Sequence, residues 1–266
     1  MARSASLLPG NSRTSSKPKK TRATSTPIPI GAMGKKSIET MIATAVERGL
    51  EYVATTDHSS GRVIGRGLSI DRLWEQGGVS DELRTRFPMI EILHGSEVDI
   101  RADGTLDFPD SVLAELDLVV ALIHSEMGES SERMTARLIR PMENPFVTCI
   151  AHFSTRIIGE RQPIAFDEDA VFRCAATTHT ALEINAPPTR LGLRDTDAAR
   201  ARALGVPPLI NTGSHSRRGF DALRFGIGVA RRAWCAPNDI INTAPWPNFR
   251  DFLAAKCDMS PVPTVE

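Results

Sequence analysis

Strand-length apolar runs that end in a histidine recur four times in this chain, and few architectures accommodate that pattern. Tyr52-Val-Ala-Thr-Thr-Asp-His58 closes in an Asp-His pair, and Asp117-Leu-Val-Val-Ala-Leu-Ile-His124 and Phe146-Val-Thr-Cys-Ile-Ala-His152 each close in an imidazole. Pro208-Leu-Ile-Asn-Thr-Gly-Ser-His215 is the fourth, and Ile90-Glu-Ile-Leu-His-Gly-Ser-Glu97 puts a carboxylate where the others put a ring. Runs this rich in β-branched residues read as strands. One histidine beyond a strand is ordinarily a hydrogen-bonded loop residue. Four of the chain's six in the same placement require a shared cause.

The segments between these runs supply it. Residues 37–49 open on Ser37 as an N-cap, close on Gly49, and carry apolar residues at 38, 41, 42, 45 and 46, which predicts an amphipathic helix. Further helices are expected near 69–86, broken at Gly77-Gly78, and near 129–143, 167–176, 195–204 and 220–232, with shorter ones at 237–242 and 247–253. Alternation of strand and helix over this length indicates a parallel sheet or barrel. Such folds gather their sites at the carboxyl edge of the strands, so the four histidines and Glu97 are expected to converge. Imidazoles meeting a carboxylate read as a metal site, of a kind that suits Mn, Zn or Fe better than Ca.

Charge narrows the partners. The whole chain is balanced, with 32 basic and 32 acidic residues, but residues 1–36 hold eight Lys or Arg and no acid, leaving a body with an excess of eight acids. An acidic body argues against broad electrostatic capture of nucleic acid, although bound cations would offset part of that charge. The leader is rich in Ser, Thr, Pro and Lys without periodicity and is expected to be disordered. Cys149, Cys174, Cys235 and Cys257 show no CxxC spacing and read as reduced, mostly buried thiols. With no apolar run of bilayer length and no apolar signal core, a cytoplasmic location without membrane partners is expected. Gly61-Arg-Val-Ile-Gly-Arg-Gly67 fits neither GxGxxG nor a P-loop and is expected to be a mobile loop at the site mouth. Trp74, Trp234 and Trp246 are expected to pack rather than stack on bases.

Thr56-Asp-His-Ser59, Gly95-Ser-Glu-Val-Asp99, His124-Ser125, Ala151-His152, Glu183-Ile-Asn-Ala186 and Asn211-Thr-Gly-Ser-His-Ser216, in this order, resemble the PHP (polymerase and histidinol phosphatase) domain, above all the C-terminal PHP domain of bacterial family X DNA polymerases. The likeness runs from about Ser37 to Leu253. It implies an α/β fold, a distorted (βα)7 TIM-like barrel, with a cluster of divalent Mn or Zn ions and hydrolysis of phosphate esters. In the polymerase setting it implies a 3′-5′ exonuclease or 3′-phosphatase acting on DNA 3′ ends, with a polymerase domain upstream. Carried over, Glu97, His124 and His152 would hold one metal and Glu97 would bridge to a second. His58 and His215 would serve a third, Asp57 would orient a ligand from behind, and Arg156 and Arg190 would stand where phosphate is gripped. On this reading residues 37–255 are the PHP domain and 256–266 a tail.

Two departures accompany the resemblance. The family opens on a strand ending in His-x-His followed by Asp-Gly, where this chain has Thr26-Pro-Ile28 and Ala32-Met-Gly34; its Thr-Asp-Ala-His stretch is here Thr212-Gly-Ser-His215, so Gly213 replaces a metal-bridging aspartate. The first barrel strand is therefore expected to be missing or disordered. Reading the codons of residues 22–34 from their third base permits Gly-Asp-Leu-His-Thr-His-Ser-Asp-Trp-Arg-Asp-Gly, which is similar to the absent opening. Residues 1 to about 34 are accordingly expected to be an out-of-frame reading of a longer gene, which resequencing the DNA decides. Three functions follow: a metal-dependent phosphoesterase, impaired if those losses are real; a catalytically inactive PHP remnant that keeps one metal for structure or serves as a binding scaffold; or a histidinol-phosphatase-like enzyme.

Overall fold

A computed structural model describes residues 25–26, 35–61 and 67–258. Seven strands lie in chain order in one sheet, β1 (Ser25–Thr26), β2 (Tyr52–His58), β3 (Glu91–Asp99), β4 (Leu118–Leu122), β5 (Cys149–Ile150), β6 (Ala181–Asn185) and β7 (Pro208–Asn211). Each pairs in parallel with the next. Between them run α1 (Lys35–Glu47), α2 (Ile70–Arg86), α3 (Asp110–Leu113), α4 (Ser131–Met142), α5 (Glu168–Thr177) and α6 (Asp195–Ala203). After β7 come a 3-10 helix over Arg217–Ala222, α7 (Leu223–Arg232) and α8 (Trp246–Cys257). The sheet curls until β7 approaches β1, giving the expected distorted TIM-like α/β barrel. Its first position is held by Ser25–Thr26 against Ala54 and Thr55, so a first strand is present as two residues. The rest of the expected disordered leader lies almost wholly outside the described residues.

The barrel is built on the two-residue period of its strands. Outward residues such as Val119, Ala121, Ile123, Ile150, Leu182, Ile184 and Ile210 join the large core shared with the outer helices. Inward residues Tyr52, Ala54, Leu93, Leu118, Val120, Cys149, Ala181 and Leu209 form a separate core that α8 closes with Phe249 and Trp246. Tyr52 stacks on Phe249 at 4.9 Å between ring centroids, and its hydroxyl donates to the Ala244 carbonyl at 2.9 Å. Lys256 is buried near the end of α8, where its Nζ donates to the carbonyls of Met142 (2.8 Å) and Thr178 (2.7 Å) and to Thr180 Oγ1 (3.1 Å). Helix α8 thus continues to Cys257, two residues beyond 255. One mouth is plugged with aromatics and the other is left for polar side chains.

Three local expectations change. Helix α2 is continuous through Gly77-Gly78; Gly77 faces His94, where an added Cβ would stand 3.0 Å from ring Cε1, so close approach rather than a break explains it. Trp246 packs as expected, but Trp74 is partly and Trp234 largely exposed. The cysteines are unbridged and range from buried Cys149 to exposed Cys257. The Gly-rich loop lies outside the described residues between 62 and 66. Its flanks are fixed by Gly61 N–H on Asp107 Oδ2 at 2.6 Å and Leu68 N–H on the His58 carbonyl at 2.7 Å. No helix among the described residues is long and apolar enough to cross a membrane.

Candidate metal centre

On each inward face the apolar residues give way to polar ones toward the strand's C-terminal end. In β2 this brings out His58; in β3, Glu97 and Asp99; beyond β4, His124; in β6, Glu183 and Asn185; in β7, Asn211. Register keeps them level, because His58 pairs with Glu97 and Asn185 with Asn211. His58 Nδ1 lies 3.3 Å from Glu97 Oε2, and His124 Nδ1 lies 2.7 Å from Asp99 Oδ1. The rings themselves meet, with centroids 4.9 Å apart for His58 and His124 and 5.6 Å for His124 and His152. His152 follows the outward-facing residue of β5 by two positions, yet its φ of 27° breaks the alternation and turns it in.

Beneath these rings Glu183 is buried. It accepts from the His152 backbone N–H at 2.7 Å, from Asn211 Nδ2 at 2.7 Å and from Asn185 Nδ2 at 3.1 Å. Burial pushes its carboxyl up to about 7 against the pull of those donors. Burial also holds the His152 pKa well below the ordinary imidazole range, helped by the Arg190 guanidinium and the His124 and His58 rings. A neutral imidazole is the form that can ligate a metal.

The expected residues therefore separate into two groups. His58, Glu97, His124 and His152 stand together, with Arg190 near enough to act electrostatically on His152 and Glu183. His215 is exposed, and Gly213 carries no ligand and has a φ of 51°. Asp57, expected to orient a ligand, faces the other way: strand alternation sets it opposite His58, and Gln76 of α2 donates to its Oδ2 at 2.6 Å. Arg156, expected to grip phosphate, donates instead from Nε to the Arg190 carbonyl at 2.9 Å and from Nη2 to the Leu191 carbonyl at 2.6 Å. Asp99 and the Glu183 cradle were given no role from the sequence, although counting by two from Glu97 reaches Asp99 directly. Arg137 had no such signal. This buried side chain donates to the carbonyls of Ile100, Ser125 and Glu126, pinning the loops just past Asp99 and His124.

Among the described residues, no group of three or more His, Cys, Asp or Glu side chains is placed to hold a metal ion as it stands. The donor chemistry nevertheless fits a divalent cation. His152 Nδ1 is buried without a hydrogen-bond partner, and three imidazoles beside two carboxylates are a set for Mn or Zn. With Nδ1–H directed at Asp99, the His124 ring presents the lone pair of Nε2, the arrangement in which a carboxylate fixes the tautomer of a ligating histidine.

No family model matches the chain. Individual relatives do. The DNA polymerase/3′-5′ exonuclease PolX of Bacillus subtilis is 37% identical over 220 residues, which cover 83% of this chain and 39% of that protein. This chain thus aligns with well under half of that relative's length. A probable phosphatase of Thermoanaerobacter sp. (strain X514) is 30% identical over 211 residues, covering 75% of this chain and 80% of the relative. Among solved structures, the histidinol phosphate phosphatase of Lactococcus lactis, complexed with Zn, L-histidinol and phosphate, superposes with a TM-score of 0.59 at 14% identity, over 81% of this chain and 95% of that one. The ordered motifs, the barrel and these relatives agree, and the chain belongs to the PHP family of phosphoesterase domains.

Proposed function

We propose that this domain is a divalent-metal-dependent phosphoesterase related to the 3′-5′ exonuclease and 3′-phosphatase module of family X polymerases, with a reduced set of metal ligands. The observation that carries the reading is the packing of His58, His124 and His152 against Glu97 and Asp99 at one mouth, with His152 Nδ1 buried and unpartnered. His58, Glu97, His124 and His152 would hold Mn or Zn. When bound, such ions polarise a phosphoryl oxygen, supply a nucleophile from water at neutral pH and steady the leaving oxygen. The protein's own part is to fix those ligands. Asp99 holds the His124 ring by its Nδ1 proton, Glu183 holds the main chain of His152, and Arg190 offers a guanidinium to an anionic oxygen. Phosphate esters, DNA 3′ ends among them, are the substrate class, and an upstream polymerase domain is the natural partner in a longer parent protein.

A second reading, an inactive remnant that keeps one metal for structure, is favoured by Gly213 and by a first strand, Ser25–Thr26, that ends without histidine. One experiment separates the two. The chain is loaded with Mn²⁺ and given oligonucleotides with 3′-hydroxyl and 3′-phosphate ends, and histidinol phosphate in parallel. Slow metal-stimulated release of nucleotide or phosphate, absent in Glu97→Ala, is the expected result. Stoichiometric metal binding with no release from any substrate would establish the remnant instead, and release only from histidinol phosphate would move the substrate class to small molecules.

A further inference from the structure

The loop after β5 and the turn over 187–192 lie against each other beside the metal-ligand cluster, and both are bent into conformations that side chains resist. His152 and Thr155 in the first have φ of 27° and 53°; Leu191 and Leu193 in or just after the second have 42° and 52°. Non-glycine residues stay in this region only where surrounding bonds over-determine them. Here those bonds cross from loop to turn. Ile158 N–H donates to the Thr189 carbonyl at 2.7 Å, while Arg156 donates from Nε and Nη2 to the successive carbonyls of Arg190 and Leu191. The turn in turn touches the site. Gly192 packs against it, where an added Cβ would stand 3.3 Å from Asn185 Cβ and 3.4 Å from His152 Cα, and its carbonyl accepts from the Asn185 N–H at 3.1 Å.

We infer that Arg156 is a positioning residue: its planar fork straps the 187–192 turn in place and so keeps the Arg190 guanidinium beside His152 and Glu183. The inference rests on the phosphoesterase reading for the purpose it assigns to Arg190, but the strap itself does not. Two N–H groups at fixed spacing suit two consecutive carbonyls, which a lysine cannot match.

Arg156→Met, Arg156→Lys, Arg190→Met and the Arg156→Met/Arg190→Met double variant test it in the whole chain. In both Arg156 variants, hydrogen exchange at the amides of 189–193 is expected to speed up by about tenfold or more. Inorganic phosphate should bind the Mn²⁺-loaded Arg156→Met protein about tenfold more weakly, with the same metal content. The double variant should be no weaker than Arg190→Met alone, because Arg156 acts through Arg190. Unchanged exchange in 189–193, or phosphate losses that add, would overturn the inference. Wild-type protein that binds no phosphate would refute the phosphoesterase reading and leave the exchange data to decide the strap.

Discussion

A carboxylate that touches a cation and one that only steers an imidazole fail differently when neutralised, and Glu97 and Asp99, in the roles proposed for them, offer that comparison two residues apart. Glu97→Gln removes a proposed ligand and is expected to abolish metal-dependent hydrolysis. Asp99→Asn leaves every proposed ligand in place but replaces the charged partner of His124 Nδ1, so metal affinity should fall by about 10- to 100-fold with activity restored at higher Mn²⁺. Chelator-competition titrations of both variants check this, and equal losses would show that Asp99 is itself a ligand. The residue scale is also where sequence reading did least well. The meeting of His58, His124 and His152 was legible because their placement at strand ends repeats, whereas His215, placed alike in the sequence, is exposed. Asp57 and Arg156 were not, since nothing in a string of letters says that Gln76 faces the one or that loop carbonyls consume the other.

Elements were legible where burial imposes a period. Strands β2, β3, β4, β6 and β7 and helices α1, α4, α5, α6 and α7 fall where apolar runs and caps place them, because each buries a face against the same sheet. Helix α2 departs because Gly77-Gly78 is a breaker in isolation but sits inside a helix clamped over β3. The two glycines are expected to respond with opposite signs. An alanine at Gly78 meets nothing within 4 Å, so Gly78→Ala should stabilise the fold by about 0.5–1 kcal/mol through helix propensity. Gly77→Ala presses a methyl onto the buried His94 ring and should destabilise by about 1–2 kcal/mol despite the same gain in propensity. Chemical denaturation of both variants decides it; shifts of the same sign would mean that the ring yields. The closing role of α8 had no sequence signal beyond its aromatics, and Phe249→Ala should cost about 3–5 kcal/mol because it empties the floor of the barrel interior.

At the scale of the molecule, the barrel is closed with apolar side chains at one end and left polar at the other, and stability and chemistry are divided accordingly. Lys256 belongs to the closed end. Burial lowers its pKa to about 8 from 10.5, so above pH 8 the unfolded chain holds this proton more tightly than the folded one. Stability from this residue therefore rises between about pH 8 and 10.5. Lys256→Met leaves the Met142 and Thr178 carbonyls without their donor and should cost about 2–4 kcal/mol at pH 7. Its deficit relative to wild type should grow as pH rises through that window, which denaturation at pH 7, 8.5 and 10 would show; a shrinking deficit would contradict it. The open end carries the central claim, that imidazoles from three strand ends and Glu97 share a cation. Anomalous diffraction at the Mn edge from crystals grown with Mn²⁺ tests it most directly. A peak within about 2.5 Å of Glu97 and of nitrogens from His58, His124 or His152 is expected, whereas an empty mouth, or a peak only elsewhere on the surface, would contradict it.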